Sequence, residues 1–371
     1  MSSTLTRRAF LGAALPPDTE AFTADGMRVA DVFEGGIAAR AGLVTGDVVT
    51  SLAGRPVRNL CELADALRAA GRESSTEIVT QRGRVVVEVA QQPRDPEITY
   101  GELVVERARL RTLTMHAPSP PRAVIVMIQG IACESVEQEP FASLAQAWTA
   151  AGYTTIRFDK RGVGDSEGGP CRSTDFHTEL ADARAVVTHA GTLARESGAP
   201  LVLFGHSVGG IIAPHLARDR AAVIVYGTPV MPWLECLDDS IRRQLELRGA
   251  SADTIADELA KLARLADIGE LNGRSAAYHA QLAAVDIAAA WRTVEVPVLV
   301  ARGEHDWVVR ADDQARIADL AQGPTTIVDL PGLDHLAGWH PDRAASLRDY
   351  GVGAPSDQLA QAVLAWLGAI R

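Results

Sequence analysis

Hydrophobic residues in the later part of the chain form short continuous runs that alternate with stretches of helical spacing. Three such runs, at 121–130, 201–204 and 296–301, are bounded by glycine or charged residues and are typical of strands buried on both faces. The segment 177–197 between two of them reads as a helix. Strands that alternate with helices predict a mostly parallel sheet with right-handed crossovers, which is an α/β architecture.

The first ninety residues have a different pattern. "MRVADVF" and "DVVTSL" alternate apolar and polar residues, as strands with one buried face do, and a helical pattern follows at Leu60, Leu63 and Leu67. The polar segment "QQPRDPE" holds two prolines and has little to bury. We therefore predict a small β-rich domain at 1–93, a linker at 94–98 and a larger domain at 99–371.

A long insertion at about 229–290 separates two strands of the larger domain. Ile255, Leu259, Leu262 and Leu265 recur at intervals of three and four residues, which gives a helix one apolar face. We predict a helical cap.

Composition narrows the range of partners. The 371 residues carry a formal net charge of -11, and no basic patch interrupts it, so nucleic acid and anionic membrane surfaces would repel the chain. No apolar run approaches the roughly 18 residues that a membrane span needs. We expect a small-molecule or protein substrate.

The N-terminus and the cysteines bear on location. "TRRAFLGAAL" imitates a twin-arginine export signal, but Pro16 and Pro17 interrupt the apolar stretch, so we interpret it as a first strand. The four cysteines form no C-x-x-C pair, which favours reduced thiols in a cytoplasmic protein over disulfides or a zinc site. No metal or cofactor is expected.

The stretch "LVLFGHSVGG" places Ser207 between a buried strand and a helix. Glycines at 205 and 209 let neighbouring backbone approach, so the serine side chain projects above the sheet edge. This G-x-S-x-G pattern is a nucleophile elbow, the sharp turn that exposes a catalytic serine.

An acid and a base follow at two later strand ends. Asp306 comes just after the strand at 296–301, and His335 follows the strand at 325–330 and a Pro-Gly turn. A serine hydroxyl needs a base such as imidazole, and a carboxylate fixes the imidazole tautomer. Four rival residues lie nearby, and we predict a structural place for each: Asp312 and Asp313 start the next helix, Asp334 stabilises a turn, and His340 lies on the surface or behind the site.

These motifs together resemble the α/β-hydrolases of the serine esterase and lipase type over 99–371. The resemblance is carried by "FDKRGVGDSEG", "GHSVGG", "GEHD" and "GLDH". It implies an acyl-enzyme on Ser207, with the backbone N–H groups of Val208 and Ile131 as oxyanion donors. Ile131 is chosen because Gln129 and Gly130 stand where such hydrolases often carry His-Gly. The candidate substrate-binding residues are Gly130, Cys133, His206, Trp233 and Tyr278.

The block "GIAARAGLVTGDVVTSLAGRPV" resembles bacterial PDZ domains, and the likeness extends over about 7–92. PDZ domains bind a peptide C-terminus as an added strand. The resemblance places that groove at Gly26, Met27 and Val29, beside a helix at 59–70. The alternative is a module that only packs on its neighbour and shapes the entrance to the enzyme.

The sequence therefore predicts a cytoplasmic serine hydrolase that cleaves carboxylic esters or thioesters. Three alternatives remain open. A serine peptidase would use the PDZ-like module to select peptide tails, an acyltransferase would replace water by an alcohol or amine, and an inert scaffold would only bind partners.

Overall fold

The structure is a computed structural model that describes residues 5–16, 21–118, 120–349 and 352–370. The chain divides into two compact units, which we describe separately. One holds Met1–Ile98, Glu102–Arg111 and Asp159–Arg172, and the other holds Thr99–Gly101, Thr112–Phe158 and Ser173–Arg371. Within the described ranges, no helix is long and apolar enough to cross a membrane.

The first unit is built on an antiparallel sheet with one long helix. Its elements are β1 Ala13–Ala14, β2 Met27–Arg28, β3 Asp31–Val32, α1 Ile37–Arg40, β4 Val48–Leu52, β5 Arg55–Pro56, α2 Leu60–Ala70, β6 Ser75–Thr80 and β7 Gly83–Glu88. The sheet runs in the order β2-β4-β6-β7, β5 pairs with β4, and β1 pairs with β3. The predicted first strand is shorter than expected, since β1 spans two residues and Ala9 only bridges to Gln91.

Helix α2 begins where the sequence predicts. The side chain of Asn59 accepts a hydrogen bond from the backbone N–H of Glu62 at 2.9 Å, which satisfies one unpaired donor of the first turn. Leu63, Ala66 and Ala70 form its buried face. That face packs into the unit's hydrophobic core.

From Thr99 onward, the chain forms an eight-stranded sheet, its covering helices and a cap. In chain order the elements are β8 Thr99–Val105, β9 Ala108–Met115, β10 Val124–Ile128, α3 Phe141–Ala150, β11 Thr154–Phe158, α4 Phe176–Ser197, β12 Leu201–His206, α5 Val208–Ile212, β13 Ala222–Tyr226, α6 Trp233–Leu247, α7 Ala252–Leu262, α8 Leu265–Ile268, β14 Glu270–Leu271, β15 Arg274–Ser275, α9 Ala276–Ala283, α10 Ile287–Trp291, β16 Val298–Gly303, α11 Ala311–Ala315, α12 Ile317–Leu320, β17 Thr325–Leu330, α13 Arg343–Arg348 and α14 Gln358–Ala369.

The strand order of this sheet is β17-β16-β13-β12-β10-β11-β9-β8. The pairs from β17 to β11 are parallel, whereas β11 and β9 are antiparallel. Every residue of β10, β12 and β13 is buried, which explains why these strands read as continuous apolar runs. The sheet is thus mostly parallel and its strands alternate with helices, as predicted, and a β-rich unit precedes it in the chain.

The cap is inserted between β13 and β16. It contains the predicted helices, of which α7 buries Ile255 and half-buries Leu259 and Leu262. It also contains the hairpin β14–β15, which was not predicted from the sequence because two-residue strands have no detectable alternation. This hairpin places Arg274 in the interior.

Candidate active site

Ser207 lies at the carboxyl end of β12, on the turn into α5. Its backbone has φ 55° and ψ -121°, and residues other than glycine rarely adopt such a positive φ. The Ser207 N–H donates to the Tyr226 carbonyl at 2.9 Å, and the Ser207 carbonyl accepts from the Gly210 N–H at 2.9 Å. These bonds hold the strained turn in place.

The two flanking glycines are required by close packing. A Cβ on Gly205 would lie 2.6 Å from the Gly209 carbonyl oxygen, and a Cβ on Gly209 would lie 2.9 Å from the Gln129 carbonyl oxygen. Both distances are shorter than real contacts allow. The G-x-S-x-G spacing therefore has the steric origin expected from the sequence.

Asp306 and His335 are brought together from the ends of β16 and β17. The Nδ1–H of His335 donates to Asp306 Oδ2 at 2.9 Å. The other carboxylate oxygen, Oδ1, accepts from the backbone N–H groups of Val308 and Val309, each at 2.8 Å. A proton on Nδ1 leaves Nε2 of the neutral ring free to accept another, which is what a general base requires.

The pKa shifts of Asp306 and His335 agree with a carboxylate that supports a basic imidazole. Burial by itself raises the pKa of Asp306, but the charge of His335 and the hydrogen bonds outweigh it and hold that pKa below its usual value. Burial by itself lowers the pKa of His335, but Asp306 and, to a smaller extent, Asp334 raise that pKa above its usual value. The pair therefore favours an ionised carboxylate beside an imidazole that readily takes up a proton.

The backbone of His335 is fixed by its neighbours. The carbonyl oxygen of His335 lies 2.8 Å from Nε2 of His206, and because a carbonyl only accepts, this nitrogen carries the proton. The His206 ring also stacks on Tyr226, whose hydroxyl donates to the Asp334 carbonyl. His206, predicted as a substrate-binding residue, thus contacts the loop that carries the base.

The four rival residues have structural contacts, in agreement with the places predicted for them. Asp334 accepts from the N–H groups of Leu336 and Gly338 at 2.9 Å, so it stabilises the turn. His340 is buried, with Nε2 3.2 Å from Asp334, so of its two predicted places the structure favours the one behind the site over the surface. Asp312 and Asp313 lie in the first turn of α11.

The loop after β10 runs beside the nucleophile. A Cβ on Gly130 would lie 3.0 Å from Cβ of Ser207, so only glycine fits there without a shift. Ile131 follows on this loop and is half-buried, while Val208 is the buried first residue of α5. The side chain of Gln129 donates to the Phe158 carbonyl at 3.2 Å and so ties the loop to β11.

Gly227, which follows β13, was not predicted as a site residue. Its φ is 61°, and a Cβ there would lie 2.9 Å from Nδ1 of His335 and 3.3 Å from Oδ2 of Asp306. The sequence did contain a signal for it, because Gly227 directly follows β13, the strand beside the nucleophile strand β12.

We expect Gly227→Ala to displace the Asp306–His335 pair. A misplacement of about 1 Å can reduce a catalytic rate by about a hundredfold, so the variant should lose most of its kcat on the chain's substrate. Gly198→Ala is the matched control, because Gly198 has φ 67° with nothing within 4 Å of its Cβ position. Both variants place alanine at a positive φ, so Gly198→Ala measures the cost of backbone strain alone. Equal activity in the two would contradict this account.

The two cap aromatics predicted as substrate-binding residues, Trp233 and Tyr278, are both buried. Trp233 is 5% exposed and its Nε1–H donates to Nδ1 of His279 at 3.0 Å. Tyr278 is 0% exposed and its hydroxyl donates to Glu179 at 3.4 Å. Trp233 of α6 therefore packs against α9 within the cap, and Tyr278 of α9 packs the cap against α4.

The states of the cysteines differ from the expectation of reduced thiols. Cys133 and Cys171 are disulfide-bonded, so the prediction of four reduced thiols is wrong, and Cys133, which was predicted as a substrate-binding residue, is half-buried. Cys236 is a thiol whose pKa burial raises to about 12, and it is inert. Their spacing matched no disulfide or metal motif, which is why the bond was not predicted. Among the described residues, no group of three His, Cys, Asp or Glu is arranged to hold a metal ion.

The predicted peptide groove is also corrected. Met27 and Val29 are 0% and 1% exposed in the core of the first unit, and a Cβ on Gly26 would clash with the backbone of Val49 and Thr50. One edge of β2 pairs with β4, and the other is taken by residues 21–22, where the Arg28 N–H donates to the Ala21 carbonyl at 2.9 Å. Among the described residues, both edges of β2 are therefore paired within the unit, so the structure shows no open edge for a peptide at the predicted position.

Comparison with known families matches both parts of the chain. The profile of the Hydrolase_4 family, described as serine aminopeptidase, S33, matches residues 119–337, which is more than half of the chain. The profile of a PDZ domain matches residues 28–82. The resemblances expected for the two modules are confirmed.

Individual relatives are more distant. The quorum-quenching protein AidA from Acinetobacter baumannii is 28% identical over 149 residues, which cover 40% of this chain and 47% of that protein, so the match spans about half of this relative. Among solved structures, Est1E from Butyrivibrio proteoclasticus with bound ferulic acid has a TM-score of 0.55 at 18% identity, covering 73% of this chain and 98% of that one. A soluble variant of the Saccharomyces cerevisiae monoglyceride lipase with a substrate analog has a TM-score of 0.52 at 17% identity, covering 75% and 96%.

Proposed function

Because the chain belongs to the Hydrolase_4 family of α/β-hydrolases and has an N-terminal PDZ domain, we propose that it is a serine hydrolase that cleaves carboxylic esters or thioesters through an acyl-enzyme on Ser207. The observation that carries the proposal is the buried Asp306–His335 pair, with the hydrogen bond on Nδ1 and the backbone of His335 held against the residue before Ser207. Cleavage needs no cofactor.

In the first step, Nε2 of His335 takes the proton of the Ser207 hydroxyl as Oγ attacks the carbonyl carbon. The carbonyl π-bond opens, and its electrons move to the oxygen. The N–H groups of Val208 and Ile131 donate to this oxyanion. Collapse of the tetrahedral intermediate breaks the ester bond, and the leaving alcohol or thiol takes the proton from His335.

In the second step, water attacks the acyl group on Ser207. His335 now takes a proton from the water and later returns it to Ser207 Oγ, while Asp306 stabilises the imidazolium in both steps. The carboxylic acid leaves and the free serine is restored.

The compared proteins favour an ester substrate. Est1E holds ferulic acid, and the monoglyceride lipase structure holds a substrate analog. The negative charge of the chain and the buried apolar residues of the cap also favour an uncharged acyl chain over a polyanion.

The first test compares a nitrophenyl ester with a nitroanilide that carries the same acyl group, across several acyl lengths. Ester cleavage without anilide cleavage supports the proposal, and the preferred length measures the acyl site. Comparable cleavage of the anilide would instead favour a peptidase. Acyl esters formed from added alcohol, in preference to hydrolysis, would favour an acyltransferase.

A peptidase is the second candidate because the matching family is described as a serine aminopeptidase and because a PDZ domain precedes the hydrolase. On this hypothesis the PDZ domain binds peptide C-termini. The full chain should then bind free C-terminal peptides and lose that binding when the carboxylate is amidated. Equal binding of both forms would count against a peptide partner.

The pH dependence follows from the raised pKa of His335. A general base must be neutral, so kcat/KM should fall as the pH drops through that pKa. Since Asp306 raises it, the midpoint should lie above the ordinary histidine value of 6.5. Two substrates without titrating groups should give the same midpoint, and a midpoint at or below 6.5 would contradict the pairing.

A further inference from the structure

Arg274 in the cap hairpin carries a charge that the proposed chemistry does not use. Its side chain is 0% exposed, and a buried guanidinium is expensive unless its donors are satisfied. It forms an ion pair with Glu179 of α4, which is itself 5% exposed. Its Cζ lies 3.8 Å from the centre of the Tyr278 ring. These contacts hold the guanidinium firmly in one position.

The two terminal nitrogens of Arg274 also reach backbone carbonyls, whereas its Nε has no partner among the described contacts. Nη1 donates to the Ile131 carbonyl at 3.2 Å, and Nη2 donates to the Thr174 carbonyl at 2.7 Å. Thr174 immediately precedes Asp175, the N-cap of α4, whereas Ile131 belongs to the loop after β10. One side chain thus connects the cap, the start of α4 and the loop that borders Ser207.

The hydrogen bond from Arg274 to the Ile131 carbonyl also restricts the position of the Ile131 N–H. The N–H and the carbonyl of Ile131 belong to two rigid peptide planes that meet at its Cα, so fixing the carbonyl restricts the rotation that would carry the N–H away. Gly130, at the other end of the first plane, is held against Ser207. The loop is therefore fixed on both sides of the proposed second oxyanion donor.

We propose that Arg274 is a positioning residue, which keeps the Ile131 N–H aimed at the oxyanion. The inference rests on the proposed function, since it needs a tetrahedral intermediate on Ser207. Lysine cannot replace arginine here, because a single ammonium does not reach a carboxylate and two carbonyls as the planar guanidinium does.

The test compares Arg274→Lys and Arg274→Met with the wild type. The assays measure kcat and KM on the preferred nitrophenyl ester, and Ki for a trifluoromethyl ketone with the same acyl chain. Such a ketone forms a tetrahedral oxyanion adduct with the serine, so its affinity reports the oxyanion donors. Lysine keeps a positive charge beside Glu179, whereas methionine leaves that carboxylate unpaired. If the methionine variant does not fold, the lysine variant alone tests the inference.

Arg302→Lys is the matched control. Arg302 also combines an ion pair, to Asp329, with a hydrogen bond to a backbone carbonyl, that of Ala311 at 2.8 Å. Among the described contacts, Arg302 has none with the loop after β10. A general cost of replacing such an arginine will affect both lysine variants.

For Arg274→Lys we expect kcat to fall by about tenfold to a hundredfold, and Ki of the ketone to rise by the same factor. KM should stay within about threefold of the wild type, because the donor acts on the transition state and not on substrate binding. Arg302→Lys should match the wild type in all three quantities.

Wild-type kcat and Ki in a folded Arg274→Lys variant would overturn the inference. So would a rise in KM alone, which indicates substrate binding, or equal losses in Arg302→Lys, which indicate a purely structural role. Failure of the proposed function gives a different result: the wild type itself then shows no ester turnover that depends on Ser207.

Discussion

Ser207→Ala is expected to reduce ester turnover by several orders of magnitude, to the level left by substrate binding and the oxyanion donors alone. Without Oγ no acyl-enzyme forms, and in dissected serine hydrolases the loss of the nucleophile lowers kcat by about a millionfold. The measurement is kcat on the preferred nitrophenyl ester, with enzyme concentrations high enough to detect the residual rate.

The same variant should unfold at nearly the wild-type temperature. Alanine keeps the Cβ of serine, and the bonds that hold the turn use the backbone of Ser207, not its hydroxyl. A variant that folds normally and retains most of its turnover would show that another group is the nucleophile.

Asp306→Asn is expected to lower kcat by about ten-thousandfold while the fold is kept. The amide has nearly the shape of the carboxylate but no charge, and its NH2 group can donate to His335. That favours the tautomer with the proton on Nε2, which cannot take the proton of Ser207.

Asp313→Asn is the matched control for this prediction. Asp313 is buried like Asp306, at 3% exposure each, and likewise accepts from two backbone N–H groups, those of Val230 at 2.7 Å and Met231 at 3.1 Å. It has no bond to His335 among the described contacts. Its variant should lose stability and keep kcat, and a similar loss of kcat in both variants would contradict the role of Asp306.

Local sequence signals led to the three candidate catalytic positions. Ser207 is identified by its glycines and the apolar strand before it, because sterics at a strand-to-helix turn require that pattern. Asp306 and His335 follow because the carboxyl ends of parallel strands share one edge of the sheet. The structure places these two residues in contact.

Features that depend on distant pairing were not predictable in this way. The disulfide bonding of Cys133 and of Cys171 follows no local pattern, and the hairpin that carries Arg274 is too short to show periodicity. The groove at Gly26 was misplaced because the segment at 21–22, which occupies the second edge of β2, has no strand pattern in the sequence. Tertiary contacts decided each of these cases.

The most direct test of the central claim is labelling with a fluorophosphonate, which reacts only with a serine that is activated as a nucleophile. Peptide mass mapping should find one phosphonyl group, on Ser207, and ester turnover should fall in proportion to the labelled fraction. The Ser207→Ala variant should take up no label. An unlabelled Ser207, or turnover that survives complete labelling, would contradict the acyl-enzyme mechanism and favour the alternative of a chain that only binds partners.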